Sequence, residues 1–192
     1  MTILDNDSSN KDSETNEDND QYFMQRAFEL AQQAEQIDEI PVGAVVVYQG
    51  KVIGEGFNQS ILLNDPSAHA EMIAIRQAGK HLNNYRLLDC TLYVTLEPCP
   101  MCAGLLVHSR IKRLVYASPD LKTGAAGSAL DLVNNERLNH QILVDRGLMQ
   151  TQCSELLSAF FKRRRREKKV EKKTQQQYSE SVDKGESNTI KK

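Results

Sequence analysis

The sequence predicts an α/β protein, a three-layer α/β/α sandwich around a central mixed sheet, and three observations carry that expectation. Short β-branched runs near residues 42–47, 52–57, 90–96 and 111–117 have the length and composition of buried strands. Stretches with apolar residues three and four positions apart lie before and between them, the spacing of helices that bury one face. A break at Gln49-Gly50 joins the first two runs as a hairpin, whereas helical stretches separate the later ones. Antiparallel strands therefore open the sheet and parallel strands continue it, with helices covering both faces.

Each element follows in order. Met24, Ala27, Phe28, Ala31 and Ala34 form one stripe of a helix over about residues 22–36. The hairpin comes next, and Pro66-Ser67-Ala68 then leads into a helix over 69–78. Its stripe is Ala70, Ile73, Ala74 and Ala78, and it is expected to end at Gly79. A buried strand over 90–96, a short helix over 100–108 and a strand over 111–117 succeed it. Beyond a Gly-rich loop at 123–127 the pattern predicts a short helix, a strand around 141–144 and an amphipathic helix from about 152 into a basic run. No internal repeat is visible.

The 192 residues suit one domain with chain to spare, and the surplus lies at the ends. Residues 1–20 carry seven acids against the single base Lys11, and residues 162–192 carry twelve bases against five acids. With almost no large apolar side chains, 1–20 and 167–192 read as disordered acidic and basic tails around a domain of 21–166. A basic end suits a polyanion, and equally a solvated face. No apolar run is long enough to span a membrane, and the start lacks the pattern of a secretory signal, so a soluble, cytoplasmic protein is expected. In that setting Cys90, Cys99, Cys102 and Cys153 are core thiols or metal ligands rather than disulfides.

Chemistry concentrates in His69-Ala70-Glu71 and Pro98-Cys99-Pro100-Met101-Cys102, each at the start of a helix. His69, Cys99 and Cys102 make a borderline-soft set of three ligands, which suits one zinc per subunit with a fourth position open for water, the arrangement of catalytic rather than structural sites. Pro100 keeps Cys99 out of helical geometry, which makes Cys99 the N-cap and sets Cys102 one turn in, both sulfurs facing one point beside the helix dipole. Glu71, two residues past a ligand, is placed to pass protons without binding metal. Taken alone, Cys-x-x-Cys also fits a thioredoxin-like redox pair, and Glu71 an acid that favours the helix dipole. Cys90 and Cys153 read as small core residues, and His81, His108 and His140 lack ligand-spaced neighbours.

His-Ala-Glu followed by Pro-Cys-Pro-Met-Cys resembles the zinc-dependent cytidine/deoxycytidylate deaminase superfamily. Pro41-Val42-Gly43-Ala44-Val45, Asp65-Pro66, Asn84-Tyr85-Arg86-Leu87, His108-Ser109-Arg110 and Lys122-Thr123-Gly124-Ala125-Ala126-Gly127-Ser128 extend the likeness, over about 22–166, to bacterial tRNA-specific adenosine deaminases. The resemblance implies a cytidine deaminase-like fold and a hydrolase acting on a cyclic amidine, converting adenosine to inosine at the wobble position of a tRNA anticodon. It also implies a homodimer and an arginine tRNA as substrate. By position it gives Asn58 and the Ala70 backbone N–H to the base, and Asp120 to the ribose region. Ser118-Pro119 stands before Asp120 where the family pattern has Ala-Arg. Near the end of the chain, Phe161 beside Arg163 and Arg164 suits base stacking and phosphate neutralisation in an anticodon stem-loop. The alternatives are a deaminase of a free nucleobase, nucleoside or nucleotide, and a non-catalytic RNA-binding subunit that keeps zinc for stability.

Overall fold

Alternation of side chains along β-branched strands places one set of residues on each side of a sheet, and here both sets are apolar, so both faces demand cover. The computed structural model describes the backbone of residues 9–186 and the side chains of residues 19–176. Its elements are α1 (Ser9–Gln36), β1 (Gly43–Tyr48), β2 (Lys51–Phe57), α2 (Ser60–Leu63), α3 (Ala70–Leu82), β3 (Thr91–Leu96), α4 (Pro100–Ser109), β4 (Arg113–Ser118), β5 (Leu143–Arg146) and α5 (Gln150–Glu186). The sheet runs β2-β1-β3-β4-β5. β1 is antiparallel to β2 and to β3, whereas β3–β4 and β4–β5 are parallel, the mixed sheet that the hairpin and the later crossovers require.

Two apolar clusters fill the two faces. Val46, Leu92, Val94, Leu114 and Tyr116 meet Ala70, Ala74 and Ala78 of α3 and Ala103, Leu106 and Val107 of α4. Val45, Val47, Tyr93, Val115 and Ala117 point the other way, onto Phe23, Met24, Ala27 and Leu30 of α1 and onto Met149 and Cys153 at the start of α5. α3 lies close on β2 because Gly54 and Gly56 carry no side chain. A Cβ at Gly56 would stand 2.2 Å from the Ala70 carbonyl oxygen, and one at Gly54 the same distance from that of Ala74.

The structure departs from the sequence expectations at four places. Gly79 sits inside α3, which continues to Leu82 and ends where Asn83 takes the left-handed conformation at φ 48°, a role asparagine fills well. The short helix expected after residue 127 is absent. Turns and an isolated bridge between Ala126 and Asp131 stand there, since buried hydrogen bonds from the loop outcompete local helix. The last strand is β5, displaced to Leu143–Arg146 on the sheet edge. α2 was not foreseen, being a single turn without periodicity.

The segments read as tails are described in part. α1 already begins at Ser9, and α5 reaches Glu186, so helix occupies much of the segments expected to be disordered. Glu and Lys are good helix formers even without a core. Asp20, assigned to the acidic tail, is tied into the domain: Tyr93 Oη donates to it at 2.5 Å, and Arg113 donates through Nη1 at 2.8 Å and Nη2 at 2.6 Å. The disorder expected for residues 1–8 and 187–192 lies outside the described residues. The chain divides into two units, Met1–Leu157 and Ser158–Lys192.

Candidate active site

Parallel β3 and β4 deliver their chain ends to the same edge of the sheet, where helix starts collect, the usual position for a site in an α/β fold. His69 is the N-cap of α3, with φ −80° and ψ 154°. Cys99 is the N-cap of α4, with φ −70° and ψ 170°, held extended by Pro100 behind it. Cys102 follows one turn later and is fully buried. His69 Nδ1 lies 3.7 Å from Cys99 Sγ and 3.6 Å from Cys102 Sγ, and the three ligand atoms fall within 4.8 Å of one another. Zinc bonds of about 2.3 Å to sulfur and 2.0–2.1 Å to nitrogen make a tetrahedral S···N edge of about 3.6 Å, so these residues fit zinc in both chemistry and spacing. Among the described residues no other group of this kind occurs.

Electrostatics agrees with the ligand roles. A hydrogen bond from Cys102, working against burial and with help from His69, brings the Cys99 thiol down to about 4, while the same pairing and burial push the Cys102 thiol up. The hydrogen bond to Cys99 also raises the His69 imidazole. The direction of the Cys99 shift favours the thiolate that a metal ligand requires. Glu71, in the first turn of α3, is 4% exposed and reaches the Cys102 sulfur. Burial raises its carboxyl well above the ordinary carboxylate range.

Asn58 and Ala70 come together rather than standing apart: the Ala70 N–H donates to Asn58 Oδ1 at 2.9 Å, and Asn58 is 7% exposed. The backbone donor expected to meet the base therefore braces the asparagine in this structure. Asp120 begins the loop after β4, and its carboxylate accepts from the Lys122 N–H at 2.9 Å, the Thr123 N–H at 3.1 Å and Thr123 Oγ1 at 2.6 Å. Burial alone would raise the Asp120 carboxyl, but these bonds outweigh it and hold it low. It folds its own loop, next to the metal-ligating segment, since the Ala125 N–H donates to the Pro98 carbonyl at 2.8 Å.

Phe161, Arg163 and Arg164 belong to the second unit. There Phe160 and Phe161 meet edge to face at 5.5 Å, and the Arg163 guanidinium lies 5.3 Å over the Phe160 ring. Arg163 and Arg164 both bond Glu167, at 3.2 and 2.9 Å, exposed pairs that a phosphate can replace at small cost.

Two buried acids were not singled out by the sequence. Glu39 is 2% exposed and accepts from the Ile61 and Leu62 N–H groups at 2.7 and 2.8 Å, fixing α2 beside Asn58. Glu97, also 2% exposed, gathers the loop after β4. Its place directly before Pro98-Cys99 is the one signal that marked it. Cys90 and Cys153 are buried core thiols, as expected. The open groove between α3 and α4, lined by Lys80, Tyr85, Leu105 and His108 among others, holds none of the metal-binding residues.

Fold and site together define a zinc-binding nucleobase deaminase: the chain belongs to the family described as cytidine and deoxycytidylate deaminase zinc-binding region, whose model matches residues 17–118. Within it, the tRNA-specific adenosine deaminase of Haemophilus influenzae is 53% identical over 144 residues, which cover 74% of this chain and 83% of that protein. A solved structure from work on A-to-I editing by tRNA:A34 deaminases at the wobble position of transfer RNA matches with a TM-score of 0.68 and 41% identity, over 70% of this chain and 98% of that one. A guanine deaminase from Bacillus subtilis matches with a TM-score of 0.51 and 44% identity, over 56% of this chain and 69% of that one. The chain is a hydrolytic deaminase. Among the described residues no helix is long and apolar enough to cross a membrane.

Proposed function

We propose that this chain is a cytoplasmic tRNA adenosine deaminase that converts adenosine to inosine at the wobble position of an anticodon, an arginine tRNA being the substrate, and that it works as a homodimer. The observation that carries the reading is the buried Glu71 carboxylate against the His69–Cys99–Cys102 cluster, in a chain so similar to a tRNA-specific adenosine deaminase. His69, Cys99 and Cys102 would hold one zinc per subunit, which when bound supplies Lewis acidity and a nucleophile near neutral pH. Glu71 takes a proton from the attacking water, gives it to the adenine ring nitrogen, and passes a second to the departing amine. One water enters; inosine and ammonia leave.

Asn58, steadied by Ala70, faces the base, and Asp120 sets the edge of the site toward the ribose. Phe161, Arg163 and Arg164 take the anticodon stem-loop by stacking and phosphate contact. The catalytic domain is residues 21–166, with the helical extensions outside the chemistry. The exposed Met101 on α4 gives a second copy an apolar side chain to cover.

The test is inosine formation in a stem-loop with adenosine at the wobble position, beside ammonia release from free adenosine, guanine and cytidine. The full chain should act on the stem-loop. Glu71→Ala should lose at least about a hundredfold in turnover while keeping its zinc. Turnover of a free base alone would transfer the reading to a free-nucleobase deaminase.

A further inference from the structure

Glu97 follows β3 directly, two residues before the ligand Cys99, and its N–H donates to the Ser118 carbonyl at the end of β4. The four bonds of its carboxylate all come from the loop that follows β4. Oε1 accepts the N–H groups of Ala126 at 2.9 Å and Ser128 at 3.0 Å, and Oε2 accepts the Asp120 N–H at 3.0 Å and the Ser128 hydroxyl. Among the described residues no ion pair joins a basic side chain to it, and its buried oxygens are met by donors of the loop. The loop closes so tightly on this carboxylate that a Cβ at Gly124 would stand 2.4 Å from both Cδ and Oε2. Both ends of the loop and its middle therefore converge on one side chain, and Ala125 is stitched to Pro98, the neighbour of a ligand.

We propose that Glu97 is a positioning residue for substrate: it fixes the loop of residues 120–128 beside the metal cluster in the one register that receives the nucleotide. The proposal rests on the tRNA-deaminase reading for the identity of that nucleotide. The physical reason is directional. A carboxylate offers acceptors only, and this loop presents four donors to it; an amide of the same size would turn an N–H₂ toward two of them. A neutral replacement keeps the volume, and with it β3 and the ligands, while releasing the loop.

Glu97→Gln should therefore raise KM for the stem-loop at least about tenfold, the loss of affinity expected when a loop that receives the nucleotide leaves its register. Zinc content and turnover per zinc should stay within about threefold, which a role in folding or metal retention would not permit. Amide exchange at Asp120, Ala126 and Ser128 should accelerate. Ser128→Ala, which deletes one donor and leaves the acid in place, should move KM in the same direction by less. An unchanged KM in Glu97→Gln with accelerated exchange would overturn the proposal, as would loss confined to zinc content. If Glu97→Gln does not fold, an unchanged KM in Ser128→Ala overturns it equally. A wild-type chain that ignores the stem-loop but turns over a free purine defeats the tRNA reading, and Glu97 is then judged by the same comparison on that purine.

Discussion

Replacing Gly56 with alanine should move the catalytic helix without touching a catalytic side chain. The new Cβ would lie 2.2 Å from the Ala70 carbonyl oxygen, 2.8 Å from the Ala74 nitrogen and 2.9 Å from Ile73 Cβ, where ordinary contact begins at 3.4 Å. The Ala70 carbonyl must retreat by about 1 Å, and Ala70 stands between His69 and Glu71, so a metal-binding residue and the proposed proton carrier move with it. Overpacking of this kind costs about 1–3 kcal/mol in stability, and a misplacement of about 1 Å costs about a hundredfold in rate. Gly43→Ala is the control: its Cβ would stand 2.1 Å from the Ala27 carbonyl oxygen, equally crowded but against α1 on the other face. Thermal melting, metal analysis and turnover should be measured on both. Both variants should melt lower, and Gly56→Ala alone should lose about a hundredfold in turnover per folded chain. Equal loss of turnover in the two, or normal turnover in Gly56→Ala, would refute the claim that β2 sets the position of the site through its glycines.

Cys102→Ala leaves two ligands and should abolish zinc retention on metal analysis; full occupancy would remove Cys102 from the site. Asp20 is held low by Arg113 and Tyr93 in spite of its burial, so its contribution is present above its unfolded value of about 3.8 and fades as pH falls through the lower folded value. Asp20→Asn should accordingly flatten the loss of stability below about pH 4 in acid melts, and an unaltered acid limb would deny the anchor. Gly79→Ala should stabilise by about 0.5–1 kcal/mol, because the position is interior to α3; destabilisation would return the helix end to Gly79. Removing residues 161–192 should weaken stem-loop binding and flatten its salt dependence, whereas a cut after Glu167 should cost little, and equal effects would place the contact in the distal segment.

What was legible in the sequence is what depends on neighbours a few residues apart. The β-branched runs, the proline that makes Cys99 an N-cap, and the spacing that puts Cys102 one turn beyond it are all local, and each is found where the pattern placed it. Gly79 failed because glycine permits a helix end but does not compel one; Asn83 supplied the left-handed residue instead. The tails, expected to be disordered, are helical over much of their described length for a related reason. Low hydrophobicity shows that a segment cannot make a core of its own, but it does not decide whether the segment continues a helix whose other end is already packed. Asp20 shows the consequence, since an acid read as solvated tail joins Tyr93 and Arg113, distant in sequence.

Glu97 and Glu39 were illegible for a stronger reason, because a carboxylate acquires a function here only through donors brought from elsewhere in the chain. Their composition signal, an acid near a strand end, is common on any surface. Burial reverses its meaning: at 2% exposure each acid must be satisfied, and both are satisfied by backbone N–H groups of segments that border the metal cluster. The metal-binding residues come from the helix starts, while the surrounding segments are held by acids that never touch the metal. A site assembled this way separates two tasks in sequence. On the proposed reading, chemistry rests on His69, Glu71, Cys99 and Cys102, and the shape offered to substrate on the loop that Glu97 holds, so relatives that share the first set and differ in that loop should share the reaction and differ in the molecule it acts on.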